Sequence, residues 1–308
     1  MNTEWPPVSK REPCEKCDKS DWCRRSADGS LLICQRYNDG TASIRQDRNG
    51  SEYYLYRKTD CHQKRSLTTE TSRPPPNQPS SSLSHSVYSR LLDLLDLSTK
   101  HRENLSRHRG FPELEIEWRK YKSLPINGRD ELARELIFSF GVDVAKTIPG
   151  FKRKHTATHE FWTIGGYAGL LIPVRNLEGR IVALRIRADD EMAPRYSWLS
   201  TGNSGGVGSG CHVHIPLQRL KDPSMIRITE GELKADFATL TTETLTLSVP
   251  GVSSWRLALP ILEELRPTQV SLAFDQDFYT NPIVAKSLKA LWHELKTKKF
   301  NVEVESWT

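Results

Sequence analysis

No stretch of the 308 residues approaches the ~18 consecutive apolar positions that a membrane-spanning helix needs. The opening residues, Met1-Asn2-Thr3-Glu4-Trp5-Pro6-Pro7, lack the basic-then-apolar order of a secretory signal. Cysteine is scarce, at 6, and all but Cys61 and Cys211 lie between Cys14 and Cys34. That clustering argues against a disulfide framework and for a metal site in a reducing cytosol. A cytoplasmic protein without a membrane partner is the expectation. There is no G-x-x-x-x-G-K-[ST] loop, so the chain carries no phosphate cradle for a helicase motor. The glycines from Gly202 to Gly210 do not have dinucleotide-binding spacing either, and they read as a flexible loop before His212 and His214. Charge of one sign is barely in excess: 44 Lys and Arg against 38 Asp and Glu leave +6. That balance permits a nucleic-acid partner without demanding one.

What is present is organised around Met225 to Asp277. Two runs rich in β-branched and apolar residues, Met225–Glu230 and Gln269–Phe274, each end abruptly in acid. A helical pattern follows each of them, Leu233 to Leu240 and Ile283 to Leu295. Strand, acidic tip and helix, repeated, predict a parallel α/β sheet whose strand ends converge on one crevice. Glu230, Asp275 and Asp277 should meet there. In Asp275-Gln276-Asp277 an extended backbone puts both carboxylates on one side. Such oxygen ligands suit Mg²⁺ or Mn²⁺ rather than zinc. Solvated acids at strand ends are the plain alternative, and matching positions at two tips weigh against it.

At the other end, Cys14, Cys17, Cys23 and Cys34 have the spacing C-x2-C-x5-C-x10-C. The first pair forms a knuckle, and the turn signal Ala27-Asp28-Gly29 between the second pair predicts a hairpin that completes a four-cysteine zinc ribbon. A second hairpin is expected from Thr41 to Lys58 around Asn49-Gly50. Its Tyr53, Tyr54 and Tyr56 lie among arginines, and they either stack bases or close a thin core. Residues 62 to 85, with Pro74-Pro75-Pro76 and Ser80-Ser81-Ser82, have too little apolar surface to order themselves and read as a linker that Cys61 and His62 begin.

From Ser86 leucines recur at helical spacing. Short helices follow at Glu113 to Trp118 and Arg129 to Phe140, with Tyr121 to Pro125 as a connector. His101, His108 and Arg109 read as surface residues. Gly169 to Arg175 and Arg180 to Arg187 read as a hairpin in which Arg185 and Arg187 project from one face. Pro194 to Ser200 continues its basic, aromatic character.

The order strand-Glu-Gly, strand, Pro250-Gly251, helix, strand-Asp-x-Asp, helix, strand resembles the TOPRIM domain, over about Ile226 to Glu305. That domain is shared by bacterial-type primases, type IA and type II topoisomerases and some nucleases. GLLIPVRNLEGRIVALRIRADD and the following PRYSWLS resemble the segment just before TOPRIM in bacterial replicative primases. The resemblance implies an α/β fold: a zinc ribbon over 1–61, a disordered linker over 62–85, an α+β primase-core subdomain over 86–220 and a TOPRIM domain over 221–308. It implies that Glu230, Asp275 and Asp277 hold catalytic Mg²⁺ or Mn²⁺. Arg185, Arg187 and Arg195 would bind template or nucleotide phosphates, and structural Zn²⁺ would sit on the four cysteines. The expected function is synthesis of short RNA primers on single-stranded DNA from nucleoside triphosphates, with unwinding left to a separate replicative helicase. Two departures stand out. The ribbon spacing is unusual, with cysteine where primases often use a histidine among the ligands. Lys234 also occupies a position where the family has an acid, so that Glu232 or Asp236 would have to substitute. A TOPRIM nuclease and a non-catalytic zinc-ribbon nucleic-acid binder of a mobile element are the alternatives. A topoisomerase is disfavoured, since it needs a nucleophilic tyrosine on a further large domain.

Overall fold

The computed structural model describes residues 5–27, 29–37, 42–47, 52–57, 79–156, 159–202, 206–218, 224–275 and 282–305. The chain forms two compact units, Met1–Gln78 with Met192–Pro194, and Pro79–Glu191 with Arg195–Thr308.

The first unit is built on strands β1 (Arg24–Arg25), β2 (Leu31–Cys34), β3 (Ser43–Gln46) and β4 (Glu52–Arg57), ordered β1-β2-β4-β3 with antiparallel pairing. The β1–β2 turn closes where the Gly29 N–H donates to the Ser26 carbonyl at 2.8 Å, with Gly29 at φ +68°. Tyr54 and Tyr56, two residues apart on β4, are both buried, and the Tyr56 hydroxyl donates to the Tyr37 carbonyl at 2.6 Å. These two tyrosines therefore close the small core, while Tyr53 lies across from Arg45. Asn49-Gly50, Cys61, His62 and the proline-rich stretch lie outside the described residues.

In the second unit, helix α1 (Ser81–Asp93) begins inside the stretch expected to be linker. Ser80 caps it by accepting the Leu83 N–H, so the serine run that reads as low complexity supplies a helix start. Helix α2 (Thr99–Glu103) runs into a π turn at Asn104–His108, and α3 (Glu113–Arg119) follows. His101, expected at the surface, is buried instead: its Nδ1 lies 2.7 Å from the Ser123 hydroxyl and its Nε2 3.0 Å from Asp189. Tyr121 to Pro125, expected as a connector, contains strand β5 (Lys122–Leu124).

Helices α4 (Arg129–Phe140) and α5 (Val144–Thr147) precede a two-stranded hairpin of β6 (Phe151–His155) and β7 (Glu160–Ile164). Then come β8 (Gly169–Arg175), β9 (Ile181–Ala188) and β10 (Tyr196–Trp198). They form an antiparallel sheet in the order β10-β9-β8-β5. Strand β8 is buried along its whole length because both its faces meet a core. Leu171 packs with Leu91, Leu136 and Ile148 on one side, while Leu170 and Ile172 pack with Leu105, Phe111 and Ile116 on the other.

The remaining strands, β11 (Met225–Glu230), β12 (Leu245–Val249), β13 (Gln269–Leu272) and β14 (Asn301–Val304), make a wholly parallel sheet in the order β12-β11-β13-β14. Helix α6 (Glu232–Thr242) links β11 to β12. A 3-10 turn at Val252–Ala258 and α7 (Leu259–Leu265) lead to β13, and α8 (Pro282–Thr297) to β14. Strand β12 is buried at every position, its Thr246 and Ser248 included, as a sheet covered on both faces requires. Leu233 of α6 packs into the same core as Leu170 and Ile172, so α6 lies between the two sheets.

Candidate active site

Strands β11 and β13 are parallel neighbours in the register Ile228↔Leu272, so their carboxyl ends open on one edge. The chain stays tied to β11 beyond the last paired residue of β13. The Ala273 N–H donates to the Ile228 carbonyl at 2.8 Å, and the Thr229 hydroxyl donates to the Ala273 carbonyl at 2.7 Å. Phe274, 1 % exposed, anchors the next step. Glu230, half-buried, and Asp275, exposed, leave the sheet at this shared edge. Asp277 lies outside the described residues. Gly231 carries the chain from β11 into α6 at φ +89°, a backbone that favours glycine, and this turn presents the first residues of α6 to the same edge. Lys234, on that first turn, forms an ion pair with Asp275.

The two acids expected to substitute for an acid at Lys234 are otherwise engaged. Glu232 is buried, 3.6 Å from Arg185. Asp236 is 2 % exposed and takes a hydrogen bond from the Tyr121 hydroxyl at 2.6 Å and an ion pair from Arg119. His214 faces it as well. The Arg175 N–H donates to His214 Nδ1 at 3.2 Å, which leaves the ring proton on Nε2, 3.3 Å from Asp236 but off line for a hydrogen bond. Burial alone would push the Asp236 carboxyl up; His214, Arg119 and Tyr121 outweigh it and hold the carboxyl below the usual carboxylate range. Burial and the neighbouring Asp236 push the Tyr121 phenol well up. The four residues come from two helices, α3 and α6, and two connecting segments, and no local spacing in the sequence signals their meeting.

The predicted arginines differ in availability. Pairing of β9 with β10 sets Arg187 opposite Tyr196 and Arg185 opposite Trp198, so all four share one face. Arg185 is 8 % exposed, with its guanidinium 4.5 Å from the Trp198 ring centroid and its charge met by Glu232. Arg187 is half-buried, and its Nε has no hydrogen-bond partner among the described residues. Arg195 is exposed beside Tyr196, at 5.9 Å from the ring. The face thus grades from a structural cation to an open one.

The four cysteines converge. Their sulfurs all lie within 4.8 Å of one another, with Cys17 and Cys23 at 3.7 Å and Cys23 and Cys34 at 3.9 Å. The knuckle is closed by the Asp18 N–H donating to the Cys14 carbonyl at 2.8 Å. A tetrahedral zinc with Zn–S near 2.3 Å sets its sulfurs about 3.8 Å apart, so the donor set and its spacing fit zinc. The Cys34 thiol is pulled down to about 5, first by the hydrogen bond from Cys23 and then by the Arg36 and Tyr37 N–H groups, against the effect of burial. That same bond holds the Cys23 thiol above its ordinary range.

No protein-family profile matches the sequence, and no curated protein does. Solved structures do match. The zinc-binding and RNA polymerase domains of the Aquifex aeolicus primase superpose with a TM-score of 0.52 at 13% identity, over 73% of this chain and 55% of that one. A DNA primase domain from Pseudomonas aeruginosa gives 0.50 at 15% identity, over 69% of this chain and 66% of that one. The chain thus spans about half the length of the Aquifex structure and under two thirds or so of the other. At such identities the likeness is one of fold: a mixed α/β arrangement similar to bacterial primase domains, with a four-cysteine group fit for zinc.

Proposed function

We propose that the chain is a primase-like nucleotidyltransferase that makes short RNA on single-stranded DNA. In this reading residues 221–308 form a TOPRIM domain, and Glu230, Asp275 and Asp277 are its metal-binding acids. The observation that carries the reading is the pair of acids, Glu230 and Asp275, at neighbouring parallel strand ends in a fold similar to that of bacterial primases. Carboxylates with no nitrogen or sulfur donor suit a hard divalent ion. The ammonium of Lys234 drawn onto Asp275 is the response expected of a carboxylate in need of a counter-charge. Mg²⁺ or Mn²⁺ bound there would supply charge neutralisation on the triphosphate and activation of the attacking 3′ oxygen. The protein's own contribution is positional. The ties of Ala273 and Thr229 to β11 fix where the acids stand, Gly231 sets the start of α6 against them, and Arg187 and Arg195 offer positive charge to phosphates of template or nucleotide. The ribbon would hold structural zinc and help grip DNA, and a separate replicative helicase would open the duplex.

A second reading is favoured by one observation. Lys234 already satisfies Asp275, while Glu232 and Asp236 are buried against protein cations. A non-catalytic zinc-ribbon binder would have that arrangement. Full-length protein incubated with single-stranded DNA, Mg²⁺ or Mn²⁺ and nucleoside triphosphates separates the cases. The proposed activity yields oligoribonucleotides only when triphosphates are added. Cleavage without triphosphates would instead identify a TOPRIM nuclease, and tight binding with neither product would identify the binding module.

A further inference from the structure

The β6–β7 hairpin belongs to none of the three four-stranded sheets. Its register pairs Lys152 with Thr163 and Lys154 with Phe161, while Arg153 pairs with Trp162 and His155 with Glu160. Opposed residues share a face, so Lys152 and Lys154 stand together on one side and Glu160 on the other. Glu160 is spent there on Arg153 at 3.5 Å and His155 at 2.9 Å. Among the described residues no acid pairs with either lysine.

Both lysines line a cleft of about 350 Å³. Arg129 adds a third cation, and its guanidinium donates to neutral acceptors, the carbonyls of Pro125 at 2.5 Å and Gly166 at 2.7 Å, which leave its charge uncompensated. Among the described residues of the lining, Asp130 is the one acid. The floor at Gly165 is bare backbone, because a side chain there would collide with Thr201 Cγ2 at 2.7 Å. The hydroxyl-bearing Thr163, Ser200 and Thr201 complete a lining suited to phosphate oxygens.

Beside the cleft lies a half-exposed ring. Phe161, opposite Lys154, is partly open with the exposed His159 ring 5.6 Å from it, while Trp162 lies on the other face of the hairpin with Arg153 4.8 Å from its centroid. Cations next to an open ring suit a strand whose phosphates and base faces are both accessible. A duplex hides the base faces.

We infer that the β6–β7 hairpin is a second anchoring surface for single-stranded nucleic acid, with Lys152 and Lys154 taking backbone phosphates in the cleft and the Phe161 ring, on the same face, stacking a base. The inference rests on the single-strand partner of the function proposed above and not on its chemistry. None of the residues of the acidic edge lines the cleft, so the cleft would hold strand flanking the reaction site.

The test is anisotropy of full-length protein with labelled oligothymidylate across a salt series. Lys152→Gln/Lys154→Gln should lower the slope of log K against log salt by about 1.4, two single-strand phosphate contacts at ~0.7 each. Phe161→Leu should weaken binding roughly fivefold or more with the slope kept, as loss of one stacked base would. An unchanged slope in the lysine variant, with the melting temperature retained, would overturn the inference, as would duplex bound more tightly than single strand with the same slope loss. Loss of slope in a protein that makes no oligoribonucleotide would uphold the inference and sink the polymerase reading alone.

Discussion

Asp236 on α6 is closed off from water and met by Arg119, Tyr121 and His214, which reach it from α3, from the residue before β5 and from the segment that precedes β11. Asp275, at the carboxyl edge of β13, is exposed and met by one lysine on a flexible stem. Both are acids of the same parallel sheet and its helices. A buried carboxylate surrounded by fixed donors fastens elements together, because removing it strands the Arg119 charge and leaves the other donors without an acceptor. An exposed carboxylate with one exchangeable partner costs little to keep and can take another cation. The sequence puts Asp236 only six residues after Glu230, and burial rather than proximity in the chain separates their roles.

The widest gap between the two acids should appear in stability. Asp236→Asn is expected to cost about 3–5 kcal/mol, since Arg119 and His214 would then face a neutral amide in a dry site. Chemical denaturation monitored by tryptophan fluorescence reads it, and a loss no larger than that of Asp275→Asn would erase the distinction. The same residue carries a pH signature. Its folded carboxyl is held below the unfolded value of about 3.9, so its contribution is present above that pH and is lost as pH falls through the folded value. Wild type and Asp236→Asn should therefore converge in stability below about pH 4. A gap that stays constant into acid would place the stabilisation elsewhere.

A smaller effect is expected at Lys234. Lys234→Ala removes the competing cation from Asp275, so Mn²⁺ measured by calorimetry should bind about two- to fivefold more tightly, in keeping with an exposed pair of modest strength. Unchanged Mn²⁺ affinity would mean that the lysine and the metal do not share the carboxylate.

How much of this was legible in the sequence depended on range. Strands β8 and β9 have runs of apolar residues long enough to announce themselves, β11 shows the alternation of a strand, and the cysteine spacing foretold the convergence of Cys14, Cys17, Cys23 and Cys34. The acidic tips of β11 and β13 were readable because the two halves repeat one local pattern. Strand β5 was not, because three residues carry no periodicity, and only pairing with β8 makes Lys122–Leu124 a strand. His101 looked like a surface residue because its partners, Ser123 and Asp189, are distant in the chain. Arg185 alternates correctly with its neighbours, yet the Glu232 and Trp198 that enclose it could not be foreseen from that alternation. The lysines of β6 lie in a run with little apolar character, and their grouping at a cleft depends on β7 and α4.

The contrast between the two acids is most directly tested by nucleotide incorporation on a single-stranded template, comparing wild type with Asp275→Asn at saturating Mg²⁺ and again at saturating Mn²⁺. If the strand-end acids form the transfer site, wild type should extend and Asp275→Asn should be slower by roughly two orders of magnitude or more, with its melting temperature unchanged. Equal incorporation by the two proteins, or none by wild type in either metal, would contradict a catalytic role for this edge.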